Sequence, residues 1–185
     1  PDDGLTVFAA VADPGEGNDS MLTQIASHLT GIPMDKVRLV TRDTDRTTGM
    51  GPAAASRMTY MAGGSLVLAI EQLKKAMEEA GTRTYEGLRK AGRPTHYLGS
   101  KMAAGRDADM DPETGQGLSF ESRVHAIQMA EVEVNTDTGE VRVVRMTTAV
   151  DPGTVINPIN LEGQLHGGMD QGVGFALREE YIHGE

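Results

Sequence analysis

A strand, a glycine-bearing loop, a helix and a second strand follow one another within the first 41 residues, and that succession points to a mixed α/β architecture. Leu5-Thr6-Val7-Phe8-Ala9-Ala10-Val11-Ala12 alternates in the period-2 manner of a strand. It runs into the turn-rich stretch Asp13-Pro14-Gly15-Glu16-Gly17-Asn18-Asp19-Ser20. Asp19 or Ser20 is placed to cap a helix whose apolar residues Leu22, Ile25, Ala26 and Leu29 share one face, and Gly31 and Pro33 supply the stop. Val37 to Thr41 reads as the second short strand.

Beyond Gly49-Met50-Gly51-Pro52 a long helical pattern opens at about Ala53, with the helix itself expected near 58–80. Leu66, Ala69, Ile70, Leu73 and Met77 share its face, and Gly81 ends it. Tyr85 to Ala91 predicts a short helix closed by Gly92 and Pro94. Residues 101–117 are polar, rich in Gly and Asp and unpatterned, which reads as an exposed loop. His125 to Val134 and Val141 to Val150 are strand-like runs separated by Asn135-Thr136-Asp137-Thr138-Gly139-Glu140, the pattern of a hairpin. A last helix is expected over 160–176, with Leu161, Leu165 and Met169 spaced for burial. Its glycines at 163, 167, 168, 172 and 174 are poor helix formers and argue for a close approach to something. There is no internal repeat.

Composition narrows the function classes. At 185 residues the chain suits one large domain or two small lobes, and can bury about 70% of its unfolded surface. With 38% hydrophobic residues and 23 glycines it is no disordered tail. Its net charge of −10 argues against a nucleic-acid binder, which needs a basic face. The absence of cysteine removes disulfides, thiolate metal sites, thiol nucleophiles and iron–sulfur ligation from these residues. No apolar run approaches ~18 residues, and Pro1-Asp2-Asp3-Gly4 lacks the basic start of a signal peptide, so a soluble, cytoplasmic protein without membrane contact is expected. The chain lacks an initiator Met and stops at Tyr181 to Glu185, where a strand is expected to be in progress; both suggest a fragment of a longer polypeptide.

Three segments offer themselves for ligand chemistry. Gly15-Glu16-Gly17 lies between a strand and a helix start, where free N–H groups and the helix dipole favour phosphate. Ser20 stands where G-x-G-x-x-G needs its third glycine, and no G-K-[ST] follows, so a glycine turn without a ligand is the alternative. Gly49 to Ser56 again sets small residues before a helix, where backbone can approach a flat or phosphorylated ligand; helix packing alone is the alternative. Ser56 is no hydrolase nucleophile, because G-x-S-x-G is absent. In the third segment Gln164 follows Gly163 in an apolar helix start, with plain solvation as the alternative.

Other patterns carry less. Asp107, Asp109 and Asp111 match positions 1, 3 and 5 of a calcium loop, but Pro112 and Leu118 occupy the places that need Gly and Glu, so a solvated acidic loop is the better reading. Asn18-Asp19-Ser20 is a glycosylation sequon without any sign of secretion. His28, His96, His125, His166 and His183 show no ligand spacing and read as surface or hydrogen-bonded residues.

Taken together and in order, three stretches resemble the molybdenum-binding part of the xanthine oxidase and aldehyde oxidoreductase family. They are Asp13-Pro14-Gly15-Glu16-Gly17-Asn18, Ala53-Ala54-Ala55-Ser56, and Val150-Asp151-Pro152-Gly153-Thr154-Val155-Ile156-Asn157-Pro158 with Gly163-Gln164 and Gln171-Gly172-Val173-Gly174. The resemblance covers nearly the whole chain and is strongest to the family's bacterial aldehyde oxidoreductases.

That resemblance implies an α/β (α+β) fold, a mixed sheet with flanking helices, with residues 1–185 forming a fragment of a larger molybdopterin-binding domain. It implies molybdopterin with Mo, held as the cytosine dinucleotide, and oxidation of an aldehyde to its acid with oxygen from water. Gly15, Glu16, Gly17, Ala53, Ala54, Ala55 and Ser56 border the cofactor in family terms, Ala54 and Ala55 lie near the metal pocket, and Gln164 hydrogen-bonds the cofactor. Glu16 stands where purine-oxidising relatives frequently have Gln, and an ionised carboxylate cannot donate. His166 stands where an acidic residue is common. No catalytic residue and no metal ligand is assigned within 1–185. The family's base is a Glu in a Gly-Glu motif expected beyond Glu185, substrate-orienting residues are expected upstream of Pro1, and [2Fe-2S] clusters are expected on a separate region. Partners implied are the remaining segments of the parent enzyme, an aldehyde substrate and a second copy in a homodimer. The isolated chain is therefore expected to be inactive and to expose apolar surface or self-associate. A purine-oxidising relative and a non-catalytic phosphate- or nucleotide-binding α/β module are the alternatives.

Overall fold

The computed structural model describes residues 3–49, 51–54, 56–102, 110–117 and 123–184, and divides the chain into two compact units, Pro1–Ser119 and Phe120–Glu185. The first unit begins with strand β1 (Leu5–Ala9), helix α1 (Asn18–Thr30) and strand β2 (Val37–Thr41). β1 and β2 pair in parallel with Leu5 opposite Val37 and Ala9 opposite Thr41, so this is a βαβ unit. β1 is shorter than the alternation to Ala12 predicts. Its partner ends at Thr41 because Arg42 turns into the left-handed region at φ 57, although Val11 continues the inward pattern and is fully buried.

α1 buries Met21, Leu22 and Ala26, while Ile25 and Leu29 of the expected face are half-buried. Gly31 closes it at φ 72 by donating its N–H to the Ser27 carbonyl, 2.9 Å away. The expected cap is corrected: Gly17, not Asp19 or Ser20, occupies the N-cap, and no side chain of that residue serves it. The long helix starts where it is expected, near residue 58, though its first turns are not α-helical. Ala53 and Ala54 are non-helical and Ser56 adopts φ 53, so winding begins as a π-helix over Met58–Gly63 and continues as α2 (Gly64–Glu79). α2 buries Leu66, Ile70, Leu73, Ala76 and Met77, the predicted face with Ala76 in place of Ala69.

Leu73, Ala76, Met77 and Leu88 form a buried cluster against which Leu5, Ala80 and Tyr97 pack. Leu88 comes from α3 (Tyr85–Lys90), whose start is capped by the Thr84 side chain accepting from the Gly87 N–H at 3.0 Å. Residues 98–101 then cross α2: the Leu98 carbonyl accepts from Gln72 Nε2 at 3.0 Å, and the Lys101 N–H donates to Ser65 Oγ at 2.9 Å. Of the loop expected over 101–117, residues 103–109, including Asp107 and Asp109, lie outside the described residues, as does Leu118. Residues 111–117 are exposed and form a turn, with Met110 bridged to Gly117 and Asp111 accepting from the Glu113 and Thr114 amides at 2.8 and 3.3 Å. Asp111 therefore serves its own turn, and these amides hold its carboxyl below the usual carboxylate value.

The second unit is the expected hairpin followed by a helix. β3 (His125–Val134) and β4 (Val141–Asp151) pair antiparallel with a bulge at Glu131/Val132. In the turn, Asn135 Oδ1 accepts from the Asp137 and Thr138 amides, and Gly139 takes φ 76. α4 (Pro158–Leu177) starts with Pro158 at its first turn and Asn157 Oδ1 accepting the Asn160 N–H at 3.1 Å. Leu161, Leu165 and Met169 are the half-buried row of α4, as their spacing predicts, but no residue of this helix is fully buried. Ile127, Ile159 and Phe175 stand more than two-thirds exposed, the apolar exposure expected of the chain by itself.

Candidate functional site

Parallel strands put their carboxyl ends on one edge, and ligands of open α/β sheets meet the protein there. Both candidate loops of the first unit leave that edge: residues 10–17 run from β1 into α1, and residues 42–57 run from β2 into the π-helix. Arg42, the first residue past β2, joins them through an ion pair to Asp19 in the first turn of α1 at 2.7 Å. The Arg46 guanidinium lies over the Phe8 ring of β1 at 5.2 Å. Both contacts are solvent-exposed and contribute modestly.

The first loop is organised by Asp13. Its Oδ1 accepts from the Gly15 and Gly17 amides, each at 3.0 Å, and its Oδ2 accepts from the Asp19 amide at 3.1 Å. Gly15 and Gly17 take φ 119 and 91, conformations that side chains disfavour. Asn18 is buried, and its Nδ2 donates to the Ala12 carbonyl at 2.8 Å and to the Glu16 carboxylate. Its amide is thus unavailable to a glycan. In the sequence Asp13 and Asn18 stand within a motif and a sequon that give neither side chain a role in the loop; the signal is Asp-Pro-Gly, an aspartate set to hydrogen-bond the amides just after it.

Burial pushes the Asp13 carboxyl up, but the Asp19, Gly17 and Gly15 amides and the Arg42 charge outweigh it and hold the group below its ordinary value. A carboxylate depressed on folding stabilises the native state above its unfolded value near 3.9. That contribution is lost as pH falls through the lower folded value. The denaturation midpoint of wild type should therefore fall more steeply than that of Asp13→Asn as pH drops below the ordinary carboxylate value. Parallel pH dependence in chemical unfolding would contradict this.

In the second loop a Cβ added to Gly49 would meet nothing within 4 Å, whereas one on Gly51 would lie 3.1 Å from the Arg57 guanidinium. Ala53 is half-buried, Ala54 and Ser56 are exposed, and Met50 and Ala55 lie outside the described residues. Gln164 is exposed on α4 in the second unit, with His166 four residues from Glu162 and 4.0 Å from it. The loops that carry 15–17 and 53–54 thus both leave one strand edge, while Gln164 belongs to the other unit. A groove of about 680 Å³ lined by Thr30, Leu73, Lys74, Met77 and Arg83 lies at the opposite end of α1 and is not part of this edge. Among the described residues no three His, Asp or Glu side chains gather around a metal-sized position, and no helix is long and apolar enough to cross a membrane.

An α/β unit with two small-residue loops at one strand edge is an arrangement suited to holding a cofactor through backbone. The chain belongs to the molybdopterin cofactor-binding domain family, matched over residues 1–185, within the xanthine oxidase group of proteins. It is 34% identical to an aldehyde oxidoreductase of Megalodesulfovibrio gigas over 97% of its own length and 20% of that protein's. Against a putative xanthine dehydrogenase molybdenum-binding subunit of Escherichia coli the identity is 31%, covering 98% of this chain and 27% of the subunit. The fold matches the crystal structure of the aldehyde oxidoreductase of Desulfovibrio desulfuricans with TM-score 0.89 and 32% identity, over 99% of this chain and 20% of that one. The chain thus spans about a fifth of the length of these aldehyde oxidoreductases.

The residues present fit such a cofactor in part. Open space over Gly49 and the short side chains of Ala53 and Ala54 suit a flat heterocycle approached by backbone. The phosphate reading of Gly15 and Gly17 fits less well, because Asp13 already holds both amides.

Proposed function

We propose that this chain is the cofactor-holding section of a molybdenum hydroxylase that oxidises aldehydes to carboxylic acids with oxygen from water. The observation that carries the reading is the family match over all 185 residues, with aldehyde oxidoreductases among the relatives. The proposed cofactor is molybdopterin cytosine dinucleotide, with [2Fe-2S] clusters and the catalytic base supplied by other segments of the parent enzyme, a cytoplasmic homodimer. When bound, the cofactor supplies the two-electron chemistry. This chain's residues orient it: Ala53, Ala54, Ala55 and Ser56 approach it with little side-chain bulk, and Gln164 donates and accepts through one amide. Gly15, Glu16 and Gly17 border it as a preformed loop, with the Glu16 carboxylate already tied to Asn18.

Purine oxidation is the second reading, supported by the 31% identity to the xanthine dehydrogenase subunit. Purified full-length protein assayed with an aldehyde and with xanthine separates the two, and metal and pterin analysis separates both from a non-catalytic nucleotide-binding module. In the full-length enzyme Gln164→Ala should lower molybdenum content severalfold by removing an amide that pairs in both directions. Ala55→Leu should lower turnover by overpacking the loop, a strain that commonly costs about 1–3 kcal/mol. Normal molybdenum and normal turnover in both variants would remove these residues from the site.

A further inference from the structure

Asp13 closes the start of α1 from within. A bound anion at a helix N-terminus is held by the first free amides and the positive end of the dipole. Here the donors at residues 15, 17 and 19 all point at one carboxylate of the chain itself, at 3.0 to 3.1 Å. Two of those donors are glycines in the left-handed region, which glycine enters without steric cost, so the loop can turn these amides toward one carboxylate. The Glu16 carboxylate is tied to Asn18, which is in turn fixed to the Ala12 carbonyl, so a second acidic group is fastened beside the same turn. With Asp19 in the first turn, three carboxylates surround this helix start; Arg42 pairs with the last of them, and its charge also reaches Asp13. A phosphate arriving there would meet the Gly15, Gly17 and Asp19 donors already occupied, and like charge.

We propose that Asp13 is a positioning residue, a built-in anion that shuts the cofactor's phosphates out of the α1 start and holds the Gly15–Gly17 loop in the shape the pterin meets. This rests on the reading of the chain as a molybdopterin holder. It also assigns the loop a different part from that of a phosphate cradle: its amides face inward, and what it offers a ligand is a rigid border. Asp13 touches no reacting atom and acts through the loop.

The test uses full-length protein as wild type, Asp13→Asn and Asp13→Ala, with molybdenum per polypeptide and thermal melting as readouts. Melting is compared in inorganic phosphate and in chloride at equal ionic strength. Asp13→Ala should lose about tenfold in molybdenum occupancy, the scale on which a lost supporting partner weakens a bound group. Its melting temperature should rise in phosphate relative to chloride, because the freed amides take the anion, while wild type shows no such rise. A structural role alone would lower melting in both salts equally. Wild-type loading in Asp13→Ala, or a phosphate-specific rise in wild type, would overturn the proposal. Should Asp13→Ala not fold, the near-isosteric Asp13→Asn carries the loading measurement, and the wild-type phosphate comparison needs no variant. If wild type contains neither molybdenum nor pterin, the proposed function fails, and the phosphate comparison still decides whether Asp13 fills the helix start.

Discussion

Gly99→Ala is expected to unseat residues 98–101 from α2 and to cost more than about 3 kcal/mol, a large share of the stability of an ordinary domain. A Cβ on Gly99 would lie 1.8 Å from the Ser65 carbonyl oxygen and 2.7 Å from the Ala69 nitrogen. Both atoms are helix backbone, which cannot swing aside as a side-chain end can. The crossing is also tied by the Gln72 to Leu98 and Lys101 to Ser65 hydrogen bonds, and the Lys101 ammonium lies over the Tyr60 ring at 4.1 Å. Moving the segment breaks these together. Thermal melting of the full-length protein with protease sensitivity at 95–101 is the measurement, and Gly49→Ala, with nothing within 4 Å of its Cβ, is the control. Gly99→Ala melting within a degree or two of the control would show that the segment can shift without loss.

That crossing was invisible in the sequence because it depends on which helix turn the chain later passes over, a long-range fact with no local pattern. Local patterns did transmit the rest. The Leu22 and Ala26 spacing, the Gly31 stop, the Leu66 to Met77 face and the Asn135 to Gly139 turn all reappear, since each is governed by contacts within a few residues. The misplaced cap has a longer-range cause. Asp19 and Ser20 were plausible caps by type, but Asp13 reached across the loop and took the first amides, a choice set by two left-handed glycines. The long helix, by contrast, begins at Met58 as expected, because the left-handed Ser56 keeps the small residues before it out of the winding.

The candidate site was legible to a lesser degree. Order and spacing of the three small-residue stretches were enough for the family, and the parallel register explains why the loops carrying two of them leave the same strand edge. What periodicity could not convey is the use to which each amide is put. Gly15 and Gly17 look alike as open donors in sequence and as satisfied donors in the structure.

The glycines of α4 extend that distinction to a substitution whose sign should depend on context. Gly163, Gly167, Gly168 and Gly172 have nothing within 4 Å of an added Cβ among the described residues, so nothing in this chain's own packing accounts for them. Helix propensity alone favours Ala over each by about 0.5–1 kcal/mol. In a peptide spanning 158–177, the fourfold Gly→Ala replacement should therefore raise helicity strongly by circular dichroism, a gain of about 2–4 kcal/mol if the four effects add. In the full-length protein the same replacement should instead lower the melting temperature and molybdenum content, because four methyl groups would enter whatever backbone or cofactor lies close to this face. The same helix leaves Ile159 and Phe175 exposed, apolar surface that is costly to leave in water. A full-length variant that melts higher and loads fully would mean that these glycines answer to no close neighbour, and that a methyl group is tolerated at all four positions.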